Sequence, residues 1–395
     1  MVTIASDSTA VATAITRLLE SLGKHGARFN DRLAIICRDG ELSIHTTAIV
    51  PPEQVLIGLP AECLLPVDDF QLSLSGNVIR ISDHNPAVSP ARREIMERVI
   101  DVLNLTDKVS RHRFSTLSSL RRVRPEVCAL LCSGRIPQAE QPPVRPSLND
   151  PEIDDLLDTR TLVYRLDAAS SRHTLVIMPI IDFCNHHPFA PPYSPALDPT
   201  GRRMLTIRAF CPDPVTRECF VRYGFYDSYD CFLHYGFVDL QTPFVISIPI
   251  EIDLPSLGTL TVHARPMHTF HAQTPGKIAD LWFYLPAFSV DKASRSAEVS
   301  HLMIPQENAP DALRRILAVI LSQIEPALTE RLRAAIIETI EQQILSANVE
   351  FYRNLAAYLR DTILPDHFTL LHRTAEEVVR LQLEKLQRYS FYPGH

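Results

Sequence analysis

Glycine is scarce in this chain: there are 12 in 395 residues, and no two are spaced as Gly-x-Gly. The dinucleotide fingerprint and the Walker A phosphate loop both depend on such glycines for close backbone approach, so the commonest nucleotide enzymes are excluded. The eight cysteines include no Cys-x-x-Cys pair, which excludes a zinc ribbon and a thioredoxin-like motif. Their scatter predicts thiols acting as small hydrophobes in a reducing cytosol. Gly-x-Ser-x-Gly is absent, and with it the nucleophile elbow of the α/β-hydrolases. No apolar run is long enough to span a bilayer, and residues 1–26 lack the basic start and apolar core of a signal peptide. The expectation is a soluble, cytoplasmic protein with no membrane partner.

Proline, by contrast, is abundant at 31 residues, which favours long shaped connections over tight hairpins. Apolar residues make up 46% and charged residues 22%, the balance of an ordinary globular chain large enough for two or three domains. A formal charge of −7 argues against nucleic acid as the partner. The charge is uneven: residues 92–135 carry ten Lys/Arg against five Asp/Glu. Such a run reads first as a solvated helix face, and second as a basic lip for a partner with an acidic surface.

Residues 1–24 read as an N-terminal amphipathic helix closed by Gly23. Between 30 and 85, alternating β-branched segments such as "RLAIICRDG" and "FQLSLSG" predict short strands. The period then changes. Ser89 is placed to cap a helix with Pro90 at its first position and Ile95, Val99 and Leu103 on one face. A five-proline stretch, Arg135 to Pro151, predicts a loop. Strands return from 156 to 262, including "TRTLVYRL", "TLVIMPIID" and "FVISIPIEIDL". From Ala309 to Gln387 the pattern is helical, with Leu313, Ile316, Leu317 and Ile320 sharing a face. Strands around a helical insert, with few βαβ cues, predict an α+β fold.

Two stretches carry candidate chemistry. "MPIIDFCNHHP" ends a buried strand in Asp182, Asn185, His186 and His187, which could ligate a metal, hold a base or cap the strand. Adjacent histidines in an extended segment point opposite ways, and no His-x-His or His-x-x-x-His supplies a further ligand, so the expectation is no metal. "ECFVRYGFYDSYDCFLHYGFVD" places Tyr223-Gly224 and Tyr235-Gly236 twelve residues apart. Taken alone, these read as a pair of core tyrosines at strand ends.

Together the two stretches, Pro179-x-x-Asp182-x-x-Asn185-His186 followed by Tyr223-Gly224 and Tyr235-Gly236-Phe237, resemble the SET-domain methyltransferases. The likeness is to the subfamily of the Rubisco large-subunit lysine methyltransferase and the actin histidine methyltransferase. "AIVPPEQVLIGLPAECLL" from Ala48, "DTRTLVYR" from Asp158 and "RTAEEVVRLQLEKL" from Arg373 extend it to other parts of the chain. The resemblance implies small twisted β-sheets in a SET-type domain over 25–300, a helical insert at about 86–175, and an all-α domain over 301–395 for substrate binding. It implies transfer of a methyl group from S-adenosylmethionine to a protein side chain, lysine first and histidine second, on a protein or peptide partner. Tyr223 and Tyr235 would be the catalytic aromatics. Asn185, His186, Asp182, Arg160, Gln54, Leu56 and Gly40 would hold the cofactor.

The chain also departs from that pattern. Where the family has Gly-x-Gly near its N-terminus, this chain has "RDGELSI", with Gly40 alone. The Ser-Asn after the first Tyr-Gly is Asp227-Ser228, and Phe225 and Arg217-Glu218 replace a proline and a Gly-Glu turn. Two other outcomes follow from these changes: a SET-like binding module without methyl transfer, or an enzyme acting on a small molecule.

Overall fold

The computed structural model of the chain describes residues 2–52, 54–136, 149–166, 173–254, 257–264, 281, 283–291, 293–294, 296–306 and 311–390. Most of the proline loop expected at 136–151, residues 137–148, lies outside these. The chain divides into two compact units, residues 1–119 with 145–225 and residues 120–144 with 226–395. The division therefore falls at 119/120, 144/145 and 225/226.

The first unit opens with a strand where the sequence suggested only helix. β1 (Thr3–Ser6), α1 (Thr9–Lys24), β2 (Arg28–Phe29), β3 (Leu33–Arg38), β4 (Glu41–Thr46) and β5 (Val55–Pro60) follow in order. β1 pairs in parallel with β3, which pairs antiparallel with β4. The Ser8 hydroxyl accepts from the Val11 N–H and starts α1. The helical period of Val11, Ile15, Leu18 and Leu22, all buried, begins only after that cap. Residues 3–6 join the sheet because their alternating half-burial suits an edge strand better than a helix face.

β6 (Leu65–Pro66), β7 (Phe70–Ser75) and β8 (Val78–His84) precede α2 (Pro90–Leu105), where Ser89 caps and Pro90 sits at the first turn as expected. α3 (Lys108–His112) belongs to this unit, α4 (Leu117–Val123) crosses the division, and α5 (Pro125–Cys132) lies in the second. α6 (Pro151–Asp158), β9 (Thr161–Tyr164), β10 (Thr174–Ile177), β11 (Asn185–His186), β12 (Ser194–Leu197), β13 (Arg203–Arg208) and β14 (Phe220–Val221) complete the first unit. Its sheets run β12-β13-β5-β2, β6-β10-β9, β1-β3-β4, β7-β8 and β11-β14. One apolar core joins them, built from Ile15, Leu33, Ile35, Ile57, Ile95, Leu156 and Ile181 among others.

The basic run at 92–135 is largely neutralised within the chain. Arg92 faces Asp69 at 3.8 Å, Lys108 and Arg111 share Glu41 at 2.6 and 3.2 Å, and Arg113 faces Glu152 at 3.6 Å. Arg124 pairs with Glu126, and Arg135 with two buried aspartates. The cysteines bring a correction. Six are buried thiols, but Cys211 and Cys219 are joined as a disulfide with Cα atoms 4.6 Å apart. A Cys-x7-Cys spacing carries no local signal, because folding alone brings its two ends together.

In the second unit, α7 (Ser228–Tyr235) replaces the strand expected around Tyr235. Asp227 caps it, accepting from the Tyr229 and Asp230 N–H groups, and Asp230 returns a bond from the Asp227 N–H. This is an acidic version of the capping box, and Gly236 closes the helix at φ 77°. Both signals are visible in "DSYDCFLHYG". β15 (Phe244–Ile246), β16 (Ile250–Leu254), β17 (Gly258–His263), β18 (Ala287–Asp291), β19 (Ser296–Ser300) and β20 (Met303–Pro305) form sheets ordered β16-β17-β19-β18 and β15-β20. α8 (Ala312–Ile324), α9 (Glu330–Asp361) and α10 (Thr369–Ser390) supply the helical C-terminal region. The class is α+β, with small sheets and helices, and no closed barrel among the described residues. No described helix is long and apolar enough to cross a membrane.

Arg135 is the polar centre of this unit. Its Nη2 donates to Asp227 at 2.8 Å and its Nε to Asp230 at 2.6 Å, while its guanidinium lies 5.0 Å from the centre of the Tyr229 ring. Burial pushes the Asp230 carboxyl well up, and Arg135 opposes that rise. The neighbouring Gly134 admits no side chain: a Cβ there would stand 2.7 Å from the Phe351 ring. On α10, the buried Lys385 donates to Ser228 at 2.8 Å, and Ser228 in turn donates to the Asp239 carbonyl. The Asp227-Ser228 pair therefore serves the start of α7.

Candidate functional site

The "MPIIDFCNHHP" stretch turns sharply at the end of β10. Ile180 has φ 69°, a left-handed conformation that a β-branched residue rarely adopts, and its side chain is wholly buried. The turn is held by bonds from the Asp182 N–H to Met178 O (3.0 Å), from Phe183 to Ile180 (3.1 Å) and from Cys184 to Ile181 (3.0 Å). Behind it, the Asp182 carboxylate accepts from Arg160 at 3.0 Å, and both side chains are largely buried. Burial raises the Asp182 carboxyl above the ordinary aspartate range, against the pull of Arg160.

Beyond the turn, β11 pairs in parallel with β14, setting Asn185 opposite Phe220 and His186 opposite Val221. That pairing delivers Tyr223 to the Asn-His block. Its N–H donates to His186 Nδ1 at 3.1 Å, and its phenol donates to the Cys184 carbonyl at 2.6 Å. Because Nδ1 accepts, a neutral His186 carries its proton on Nε2. Asn185 is exposed, and its amide donates to Glu218 at 2.7 Å. His187 faces the other way into an aromatic nest, 4.9 Å from Phe210 and 5.6 Å from Phe220, with its Nδ1 accepting from the Phe189 N–H. The two histidines diverge as strand alternation requires.

Gly40 (φ 74°) makes the β3–β4 turn, where a Cβ would meet the Thr106 carbonyl at 2.9 Å and the Arg111 guanidinium at 3.0 Å. Leu56 is fully buried in the core. Gln54 is exposed at the start of β5, with its carbonyl accepting from the Ala209 N–H. Tyr235 ends α7 in the second unit, among Tyr226 (6.1 Å) and Phe237 (6.0 Å). The two Tyr-Gly tyrosines thus fall on opposite sides of the division at residue 225.

Glu218 is the site residue that the sequence reading did not single out. Its signal was an acidic position at fixed spacing before Tyr223-Gly224. The half-exposed face of β4 adds His45, whose Nδ1 is 2.9 Å from the Thr216 carbonyl and whose Nε2 is 2.9 Å from Ser43 Oγ. A carbonyl only accepts, so Nδ1 donates and Nε2 receives the serine hydroxyl. Glu41 and Ser43 therefore place side chains along the segment where the family pattern has Gly-x-Gly, and His45 follows directly after it.

His112, whose ring Nε2 is 2.8 Å from Thr159 Oγ1, adds a pH dependence. Burial first, then Arg160 and Lys108, push its pKa from 6.5 down to about 4. A histidine with a lowered folded pKa is protonated more readily when unfolded, so stability rises with pH between those values and is lost as pH falls through them. Acidification from pH 6.5 to about 4 is expected to cost about 3 kcal/mol through this residue. His112→Gln should flatten that part of the slope in denaturant titrations run at several pH values. An unchanged slope would show that His112 is not the group responsible.

Among known proteins, no family model matches the chain and no curated protein matches it. Solved structures do align over nearly the full length. One is the SET domain of LSMT bound to lysine and AdoHcy, at 11% identity and a TM-score of 0.40, covering 96% of this chain and 91% of that one. Another is Rubisco LSMT bound to AdoMet, at 12% identity and a TM-score of 0.36, covering 95% and 92%. A third, Rubisco LSMT bound to sinefungin and monomethyllysine, gives 13%, 0.37, 97% and 92%.

Proposed function

We propose that the chain is a methyltransferase that uses S-adenosylmethionine and acts on a nitrogen of a protein side chain, lysine first and histidine second. One observation carries this reading: β11 and β14 join the Asn185-His186 block to Tyr223, so two motif blocks distant in sequence share hydrogen bonds. The residues suit the cofactor in part. Asn185 and His186 are polar, adjacent and fixed by Glu218 and Tyr223, as groups orienting a nucleoside-bearing ligand should be. When bound, the cofactor would supply an electrophilic methyl on sulfur. The Tyr223 phenol donates its proton to the Cys184 carbonyl, and a phenol oxygen of this kind can accept weak C–H···O contacts from such a methyl. Arg160 and Asp182 brace the turn that presents Asn185 and His186.

The side chains of Glu41, Ser43 and His45 favour a second reading, a SET-like cleft that binds a peptide or small molecule without turnover. Calorimetric titration with S-adenosylmethionine separates the two: absence of binding at millimolar cofactor would sink the first. If the cofactor binds, Tyr223→Phe is expected to slow methyl transfer to a lysine-containing protein on the order of a hundredfold through lost orientation. Cofactor affinity should change little. A large loss of affinity instead would show that Tyr223 is a binding group.

A further inference from the structure

The loop from Cys211 to Cys219 differs from the rest of the first unit in chemistry and in place. Its interior, Pro212 to Arg217, is exposed, and Cys211 is half-buried, whereas the six free thiols are all buried. Cys219 is buried, so a soluble dithiol meets the disulfide from the half-buried Cys211 side, at the foot of the exposed loop. The loop is also built under constraint. Asp213 ties it internally, accepting from the Val215 and Thr216 N–H groups at 2.8 and 3.4 Å, and Arg217 is held at φ 52°. At its exit the loop is stitched to β4, with the Thr46 N–H donating to Arg217 O at 3.1 Å and the Cys219 N–H to Ile44 O at 2.8 Å.

Two loop residues reach the Asn-His block and its neighbouring wall. The Thr216 carbonyl fixes the tautomer of His45, and Glu218 accepts from the Asn185 amide. Glu218 stands one residue before a bonded cysteine, inside the loop that the disulfide closes, so the bond restricts how far its backbone can move. We propose that the Cys211–Cys219 disulfide is a redox-operated clamp in which Glu218 acts as a positioning residue for Asn185. Opening it takes a dithiol reductant. Thiolate attack on the sulfur–sulfur bond forms a mixed disulfide, and the second thiol resolves it. Two electrons and two protons pass to Cys211 and Cys219, and the reductant leaves as a disulfide. The loop then relaxes the left-handed Arg217 and lets Glu218 move off Asn185.

The consequence for cofactor binding rests on the proposed function; the motion of the loop does not. The full-length chain is compared oxidised and after dithiothreitol, with the bond state checked by intact mass. Hydrogen exchange reads the amides of Thr46 and Cys219, and calorimetry reads S-adenosylmethionine affinity. Reduction is expected to speed exchange at both amides and to weaken the cofactor about tenfold, the worth of one charge-assisted hydrogen bond. Cys211→Ser should behave as the reduced chain does; if it fails to fold, chemical reduction carries the same test. Glu218→Gln should weaken binding without reductant and remove most of the response to it. Faster exchange with no cofactor binding in either state would uphold loop release and reject the methyltransferase reading. Unchanged exchange after verified reduction would overturn the clamp, and so would a full affinity response in Glu218→Gln.

Discussion

Arg135→Met is expected to cost the second unit about 3–5 kcal/mol, because it leaves two buried carboxylates without their cation. Asp227 is fully buried and Asp230 nearly so, and each bonds Arg135 directly. Asp227 cannot turn away to find water. It caps α7 through the Tyr229 and Asp230 N–H groups and also accepts from the Ile246 N–H at 2.8 Å. The loss should therefore appear as global unfolding of this unit in denaturant titration, with the midpoint moving and the slope retained. Adding Asp230→Asn in the Arg135→Met background should recover part of the stability by removing one charge, whereas in the wild-type background it should destabilise. A cost below about 1 kcal/mol, the range of exposed pairs, would show that the network is screened by solvent.

Arg160→Met is expected to destabilise the first unit by a similar 3–5 kcal/mol at pH 8, and by less at pH 5. Asp182 is the reason for the pH dependence. Its side chain is 4% exposed, and burial already raises its pKa despite Arg160. Without the guanidinium the folded pKa rises further, so the carboxyl takes a proton more readily in the folded state than in the unfolded one. An acid raised in this way contributes stability that is fully present below its unfolded pKa and is lost as pH rises through the folded value. The deficit of the variant must then grow with pH. Asp182→Asn in the same background should abolish that growth. A deficit independent of pH would mean that Asp182 reaches water once Arg160 is gone. Because the pair braces the strained turn at Ile180, the variant should also loosen Asn185 and His186, visible as faster exchange at Cys184.

The parts of the fold legible beforehand were those with local signals. Ser89 and Pro90 announced α2, and the apolar stripe of Leu313, Ile316 and Ile320 announced α8. α7 was equally announced by Asp227, Asp230 and Gly236, but its aromatic content resembled a strand. The candidate site was legible as residue types, not as an arrangement. Pairing of β11 with β14 brings Asn185, His186 and Tyr223 together, while Leu56 lies in the core and Gly40 in a hairpin turn. Glu218 became a site residue only through its bond to Asn185.

By itself the sequence determined the α+β class, the capped helices and the divergence of His186 from His187. Each depends on spacing over a few residues, which helix period, strand alternation and cap chemistry set directly. Only tertiary structure decided that β11 lies beside β14, that Arg160 meets Asp182, that Arg135 meets Asp227 and Asp230, and that Cys211 bonds Cys219. None of these pairs is favoured by local backbone preference. Each forms because burial of the surrounding core outweighs the chain entropy lost in closing the intervening loop, a balance struck by the whole unit.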